Sequence, residues 1–223
     1  MKNTSVLLYL FLACVLSNCS SDGDDSNDEM EVIIVPQEAR TAIPDVAFER
    51  TLIELDIDDV EDGSVATADI QMVTSLVMND KGISDLTGLE NFSMLENLWV
   101  NDNLLTSLDV SQNRLLKFVF AENNVLTRVT VLNLTILEKL EVSNNQIESV
   151  NLSDNSLLQL LGLKNNSLTR LDISSIPNSI QLNTFSVENN PLTCIQVNAE
   201  ILSDIPSQWT KDDEDTFALE CNL

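Results

Sequence analysis

Chemistry in this chain has to be done without histidine: its 223 residues include 36 Asp and Glu, 11 Lys and Arg, four Cys and no His. The usual general base near neutral pH is therefore missing, and with it the Ser-His and Cys-His nucleophile pairs and the commonest zinc ligand. Carboxylates can serve instead. No pair of them stands apart from the general acidic surface, however, and no nucleophile, base and stabiliser come together in a motif. Neither an enzyme activity nor a cofactor is expected. A net charge of -25 leaves no basic stripe to displace counterions from phosphates, which argues against nucleic acid as a partner. What remains is the chemistry of recognition, done by aromatic faces, side-chain amides and a few charges. The candidates are Trp99, Phe118 and Phe120, with Asn97, Asn101, Lys139, Glu141 and Lys164 around them.

Those eight residues share a surface only if the chain repeats, and it does. Leu95, Leu98, Val100, Asn103 and Leu105 follow the pattern L-x-x-L-x-V-x-x-N-x-L. Steps of 21 reach Leu116, Val119, Ala121, Asn124 and Leu126, then Leu137, Leu140, Val142, Asn145 and Ile147, then Leu158, Leu161, Leu163, Asn166 and Leu168. A step of 24 reaches Leu182, Phe185, Val187, Asn190 and Leu192. This is a leucine-rich repeat. Each coil is too small to bury its own leucines, so coils must stack, and residues 73–193 are expected to form a solenoid of short parallel strands in a curved array. A buried turn leaves backbone groups without partners, and an Asn side chain carries both donors and an acceptor. Asn103, Asn124, Asn145, Asn166 and Asn190 are therefore expected to form a structural ladder that bonds the coil above and the coil below.

Side chains two apart in a strand point the same way, so Leu98 and Val100 enter the core while Asn97, Trp99 and Asn101 face out. The same parity puts Trp99, Phe118 and Phe120 side by side on the concave strand face, near Lys139 and Lys164. Aromatic residues so placed are typical interface anchors. The bland alternative is that Phe118 or Phe120 turns inward, where Ala121 leaves room. Two classes of ligand suit the patch. A protein partner would use the mixed charge of Lys139, Glu141 and Lys164, whereas a glycan would stack on the three rings with Asn97 and Asn101 as hydrogen-bonding groups. About six strands at ~4.8 Å spacing span only ~25 to 30 Å, enough for one modest interface on a monomer.

The ends of the array need covers. Residues 42–72 read as an N-terminal cap, with Pro44 and Asp45 opening a short helix whose Phe48, Leu52 and Leu55 share one face. Asp58, Asp62, Gly63 and Asp69 fall at loop positions 1, 5, 6 and 12 of a calcium motif, but Val60 breaks it at position 3. A solvated acidic turn is the preferred reading there. Val73, Leu76, Met78, Ile83, Leu86 and Leu89 make a transition coil with Lys81 in the ladder position. Two further irregularities are Leu134, where Asn113 and Asn155 lead one to expect Asn, and three extra residues near Pro177 to Ser179. Residues 194–223 read as a C-terminal cap. Cys194 and Cys221 are expected to form a disulfide in an oxidising envelope, since a metal site fails for want of His or further Cys. Trp209 and Phe217, inside that loop, read as plugs over the final coil.

Residues 1–18 have the anatomy of a secretion signal, with Lys2 followed by an apolar run from Val6 to Leu16 that is too short to span a bilayer as a mature helix. Cys14 lies within that run and is read as part of the discarded segment. The run ends in Leu16-Ser17-Asn18-Cys19, which resembles the lipobox of bacterial lipoproteins and implies lipid attachment at Cys19. Residues 19–41 are too polar and acidic to fold alone and read as a tether. Their acidic start resembles the export tags that send lipoproteins to the outer face of some Gram-negative bacteria. Lys81-Gly82-Ile83-Ser84-Asp85-Leu86-Thr87-Gly88-Leu89, Leu105-Thr106-Ser107-Leu108-Asp109-Val110-Ser111 and Leu168-Thr169-Arg170-Leu171-Asp172-Ile173-Ser174 resemble repeats of the internalins and of other bacterial cell-surface leucine-rich repeat proteins. That resemblance implies a nonenzymatic recognition or adhesion protein. The expected setting is the bacterial outer membrane, surface-exposed and held by the lipid anchor alone.

Overall fold

The computed structural model describes residues 38–221. The expected signal segment, the expected lipid-attachment residue Cys19 and most of the expected tether lie outside the described residues.

The chain opens with β1 (Arg40–Ala42), α1 (Val46–Glu54), β2 (Ser64–Ala66) and α2 (Thr67–Ile70), with β1 and β2 paired antiparallel. The first strand thus starts inside the stretch read as tether. Its reason is long-range pairing: Arg40 donates to Ser64 and Asp62, and the Thr41 hydroxyl bonds that of Thr67. Helix α1 starts where expected, because the Asp45 Oδ1 accepts from the Ala47 and Phe48 amides, both at 2.9 Å, and so caps two free N–H groups of the first turn. Phe48 and Leu52 are fully buried, and Phe48 stacks on Phe92 at 6.3 Å between ring centroids. Leu55 does not join them. The helix closes at Glu54, leaving Leu55 as its C-cap and 41% exposed.

Two carboxylates hold the cap together. The second oxygen of Asp45 accepts from the Ser84 amide and hydroxyl and from the Asp85 amide, which ties α1 to the first coil. Burial opposes ionisation there, but these hydrogen bonds hold the Asp45 carboxyl below the usual carboxylate range. Glu49 is 1% exposed, and its Oε1 accepts from the amides of Asp62, Gly63 and Ser64 at 2.9, 2.6 and 3.0 Å. Such charge-assisted bonds set the course of the acidic turn. Asp62 bonds Arg40 and Ser64, while Asp69 sits on α2, so the 58–69 stretch folds around Glu49 rather than around a shared centre. Among the described residues no three His, Cys, Asp or Glu side chains converge as metal ligands.

The solenoid follows. Strands β3 (Ser75–Val77), β4 (Asn97–Trp99), β6 (Phe118–Phe120), β8 (Lys139–Glu141), β9 (Leu160–Gly162) and β11 (Thr184–Ser186) form one parallel sheet in sequence order. On the other side of the coils, β5 (Ser107–Asp109) pairs with β7 (Arg128–Thr130), and β10 (Leu171–Asp172) with β12 (Cys194–Gln196) and then β13 (Thr216–Ala218). These back strands are more than the repeat pattern announced. Leu108 and Val110, two apart and both buried, alternate with outward Asp109, and that alternation is itself a strand signal. Between the two sides the repeat leucines, from Leu95 to Leu182, are fully buried.

The Asn ladder runs in one direction only. Asn124 Oδ1 accepts from the Leu105 amide of the preceding coil, while its Nδ2 donates to Val100 O of that coil and to Ala121 O and Glu122 O of its own. Asn103, Asn145, Asn166 and Asn190 likewise accept from Ile83, Leu126, Ile147 and Leu168. Each reaches back, and none reaches forward. That corrects the expectation of bonds to both neighbours, and it accounts for Lys81. The first coil has no coil behind it, so Lys81 instead extends to Glu54 at the end of α1, with Nζ 2.6 Å from the carboxylate.

A second inner column consists of Phe92, Asn113, Leu134, Asn155, Ile176 and Asn198. Asn113 donates to Leu89 O and Phe92 O, Asn155 to Val131 O and Leu134 O, and Asn198 to Ser174 O and Ile176 O. Here one amide serves two coils, so every second position can be apolar. Leu134 is one of those apolar positions and not a defect. The extra residues near Pro177 to Ser179 form a turn closed by Gln181 N donating to Asn178 Oδ1, and strand register with β9 resumes at Thr184.

At the far end, Trp209 donates its indole N–H to Leu182 O and packs on Phe185 and Phe217, with centroids 5.0 and 6.0 Å away. Cys194 and Cys221 form a disulfide with Cα atoms 5.8 Å apart. Cys194 lies within β12, so the solenoid's back sheet runs into the C-terminal cap and β13 closes it.

Candidate functional site: the front strand face

Register determines which outward side chains are neighbours. Asn97, Phe118, Lys139 and Leu160 form one outward column; Val77, Trp99, Phe120, Glu141, Gly162 and Ser186 form the next. Val119, between the two phenylalanines, takes the inward position and is fully buried, so both rings stay on the outer face half-buried. Ala121 is itself a core residue and no ring fills its place. Trp99 and Phe120 stack with centroids 5.8 Å apart and an interplanar angle of 1°. Lys139 Nζ lies 4.8 Å from the Phe118 ring centre, a cation held on an aromatic face.

The remaining candidates divide. Glu141 faces Phe120 on one side and Gly162 on the other; a side chain at 162 would collide with its carboxylate, so this glycine supplies the room that Glu141 occupies. Its Oε1 also accepts the Ser143 hydroxyl at 2.5 Å. Asn97 lies beside Phe118, half-buried. Asn101 adjoins the patch, but its Oδ1 accepts the Glu122 amide at 2.8 Å and is thereby committed to the scaffold. Lys164 is not part of the cluster. It follows β9, three strands from Trp99, with Nζ 3.2 Å from Glu188.

Two acidic groups beside the rings were not among the sequence candidates. Glu122 follows Phe120 by two residues, so parity alone placed it on this face. Its carboxyl is pushed above the usual range by burial, then by the nearby Glu141 and Asp102 charges. Asp80 and Asp102 open a row of residues in left-handed backbone conformation that continues through Asn123, Asn144, Asn165 and Asn189, with φ of 55°, 57°, 55°, 59°, 54° and 60°. Asn and Asp tolerate that region best among side-chain-bearing residues. Their exposed amides form a chain in which Asn189 donates to Asn165, Asn165 to Asn144, Asn144 to Asn123, and Asn123 to Asp102. This amide chain borders the strand face and ends on the Asp102 carboxylate.

No family model and no curated protein matches the chain. Among solved structures, an internalin (inlF) from Listeria monocytogenes is 20% identical, with 77% of this chain and 52% of that chain covered and a TM-score of 0.57. The functional domain of InlJ from the same organism is 19% identical over 72% of this chain and 52% of that one, with a TM-score of 0.34. Internalin C2, also from that organism, is 18% identical over 79% and 95%, with a TM-score of 0.36. This chain spans about half the length of the InlJ and inlF structures. The likeness to inlF shows the fold: the chain is a leucine-rich repeat solenoid.

Proposed function

We propose that this chain is a surface recognition module, lipid-anchored through Cys19 at the bacterial outer membrane, that binds a protein partner through its concave front sheet. The observation that carries the reading is the stacked, half-buried Trp99 and Phe120 pair, which stands on the outer face where packing of the coils does not require aromatic rings. Rigid aromatic side chains bring large contact area at little entropic cost, and an acidic rim without deep enclosure suits a macromolecular surface. Repetition of the buried ladder holds that face in one shape, which lowers the ordering cost of binding.

The test uses the full-length lipoprotein. Binding to intact target cells is compared for the wild type and for Trp99→Ser combined with Phe120→Ser. Loss of binding in a folded double variant, together with loss of wild-type binding after protease treatment of the target cells, is the expected result. Undiminished binding by the folded variant would place the site elsewhere. Protease-resistant binding with a matching signal on glycan arrays would replace the protein partner by a carbohydrate. Mass spectrometry of the mature N-terminus tests the anchor, and an unmodified Cys19 would refute it.

A further inference from the structure

Positive charge is scarce in this molecule and mostly committed. Among the described residues five ion pairs form, joining Arg40 to Asp62, Arg50 to Glu61, Lys81 to Glu54, Lys117 to Glu96 and Lys164 to Glu188. None of the five involves Asp102, Glu122 or Glu141, the carboxylates beside the Trp99 and Phe120 rings. Lys139, two residues from Glu141 in the chain, is drawn over Phe118 in the adjacent column. The two flanks of the aromatic patch therefore differ. One holds a lysine already seated on a ring, and the other holds three carboxylates without a protein cation.

The aromatic pair and the unneutralised carboxylates are side by side. Glu122 is two residues beyond Phe120 on the same outward parity, Glu141 pairs with Phe120 across the β6–β8 register, and Asp102 ends the amide row three residues beyond Trp99. Glu141 is held by Ser143 with its carboxylate over Gly162, and Asp102 is held by Asn123, so both charges are fixed near Glu122, which itself is free to turn toward the rings. Each has further lone pairs to offer. The arrangement matches the guanidinium of arginine: a planar, weakly hydrated cation that stacks on aromatic rings and donates in a fixed fork to carboxylates. Lysine can meet the charge but not the fork.

We propose that the front sheet recognises an arginine-bearing basic segment of its protein partner, seating the guanidinium against Trp99 and Phe120 with Glu122 as its acceptor and the Asp102 and Glu141 charges flanking that site. This rests on the reading of the front sheet as the binding face and adds the chemistry of the partner. It also gives the acidic surface a role, since a field of one sign speeds encounter with a segment of the other.

The experiment measures binding of the full-length protein to a synthetic decapeptide of alternating Arg and Gly by calorimetry at two salt concentrations. The same peptide with Lys, and with citrulline in place of Arg, serves for comparison. A chain of net charge -25 attracts any polycation, so the decisive readout is dependence on the site. Glu122→Gln combined with Glu141→Gln should weaken Arg-peptide binding by about tenfold or more, the scale of losing hydrogen-bonded charge pairs at an interface. Trp99→Ser with Phe120→Ser, which leaves every charge in place, should weaken it comparably. The Lys peptide should bind more weakly and the citrulline peptide hardly at all.

Equal affinity of the Arg and citrulline peptides, or unchanged affinity in either double variant, would overturn the proposal. The failure of the broader reading is separable. If cell binding still depends on Trp99 and Phe120 while the Arg peptide is ignored, the face binds but its partner is not basic. If cell binding does not depend on those rings, the face itself is wrong. A glycan-array signal lost in the Trp99→Ser, Phe120→Ser variant and insensitive to salt would also overturn the arginine assignment.

Discussion

Removing one rung of the Asn ladder should cost less than its bond count implies, and removing two adjacent rungs should cost more than their sum. Asn124 makes four hydrogen bonds and is 7% exposed. Three of its partners are shared. Val100 O also accepts from Asn103, Ala121 O from Asn145, and Glu122 O from the Asp102 amide. Only the Leu105 amide depends on Asn124 alone, so Asn124→Ala orphans one buried N–H and should destabilise by about 1 to 3 kcal/mol. Asn145→Ala likewise orphans the Leu126 amide. In the double variant Ala121 O loses both donors, which adds about 1 kcal/mol beyond the sum. Asn103 and Asn166 share no partner, so that pair should be additive. Equilibrium urea unfolding followed by far-UV circular dichroism measures both cycles. Equal coupling in the adjacent and distant pairs, or a change below about 0.5 kcal/mol for Asn124→Ala, would refute the shared-acceptor account.

Asp45→Ala removes acceptors for five donors that span α1 and the first coil, and should cost about 3 kcal/mol at neutral pH by chemical denaturation. Because the folded carboxyl titrates below its ordinary value, this stability is present above about pH 4 and lost as pH falls through the lowered value; a penalty that persists undiminished in strong acid would contradict the assignment. Asp215 has the opposite sign. It is 3% exposed with both oxygens unpartnered, and burial, then Asp212, raises its pKa, so the native state gains stability as pH falls toward the ordinary value near 3.9. Asp215→Asn should accordingly stabilise by about 1 kcal/mol at pH 7 and by nothing at pH 3, read from thermal melts at both pH values. Cys194→Ser should cost about 3 to 4 kcal/mol in the chain-entropy model, and reduction of the wild type should reproduce the loss.

The repeat was legible because one physical problem, a buried turn with unpaired backbone groups, recurs at a constant interval and has one best side chain. Asn103, Asn124, Asn145, Asn166 and Asn190 could be named from spacing alone. Spacing carries no direction, so the backward reach of each amide stayed hidden and Lys81 looked like an irregularity. The second column was obscured further, because Asn113, Asn155 and Asn198 alternate with Phe92, Leu134 and Ile176. A repeat of two coils looks like a faulty repeat of one. Asp45 and Glu49 act across the chain on residues 84 and 62–64, and no local pattern announces such partners. Leu55 missed the core because α1 ends one residue earlier than its apolar spacing. At the candidate site, alternation placed the three rings, but the pose of Glu141 depends on a side chain that Gly162 lacks.

The outward columns of the front sheet obey a different logic from the inner ones. Inside, each coil meets the same packing constraint and the residues recur; outside, Val77, Trp99, Phe120, Glu141, Gly162 and Ser186 occupy equivalent places and, apart from the two stacked rings, differ in chemistry. A stack of coils does not need that variety, so the variety is where specificity can be written. The two kinds of position should therefore separate by experiment. Trp99→Ser gives up one aromatic stack, about 1 kcal/mol, and should abolish binding, whereas Asn124→Ala should weaken the fold and leave the binding of the protein that remains folded unchanged. A Trp99 variant that unfolds, or an Asn124 variant that stays stable yet loses binding, would reverse these roles and make the rings part of the scaffold.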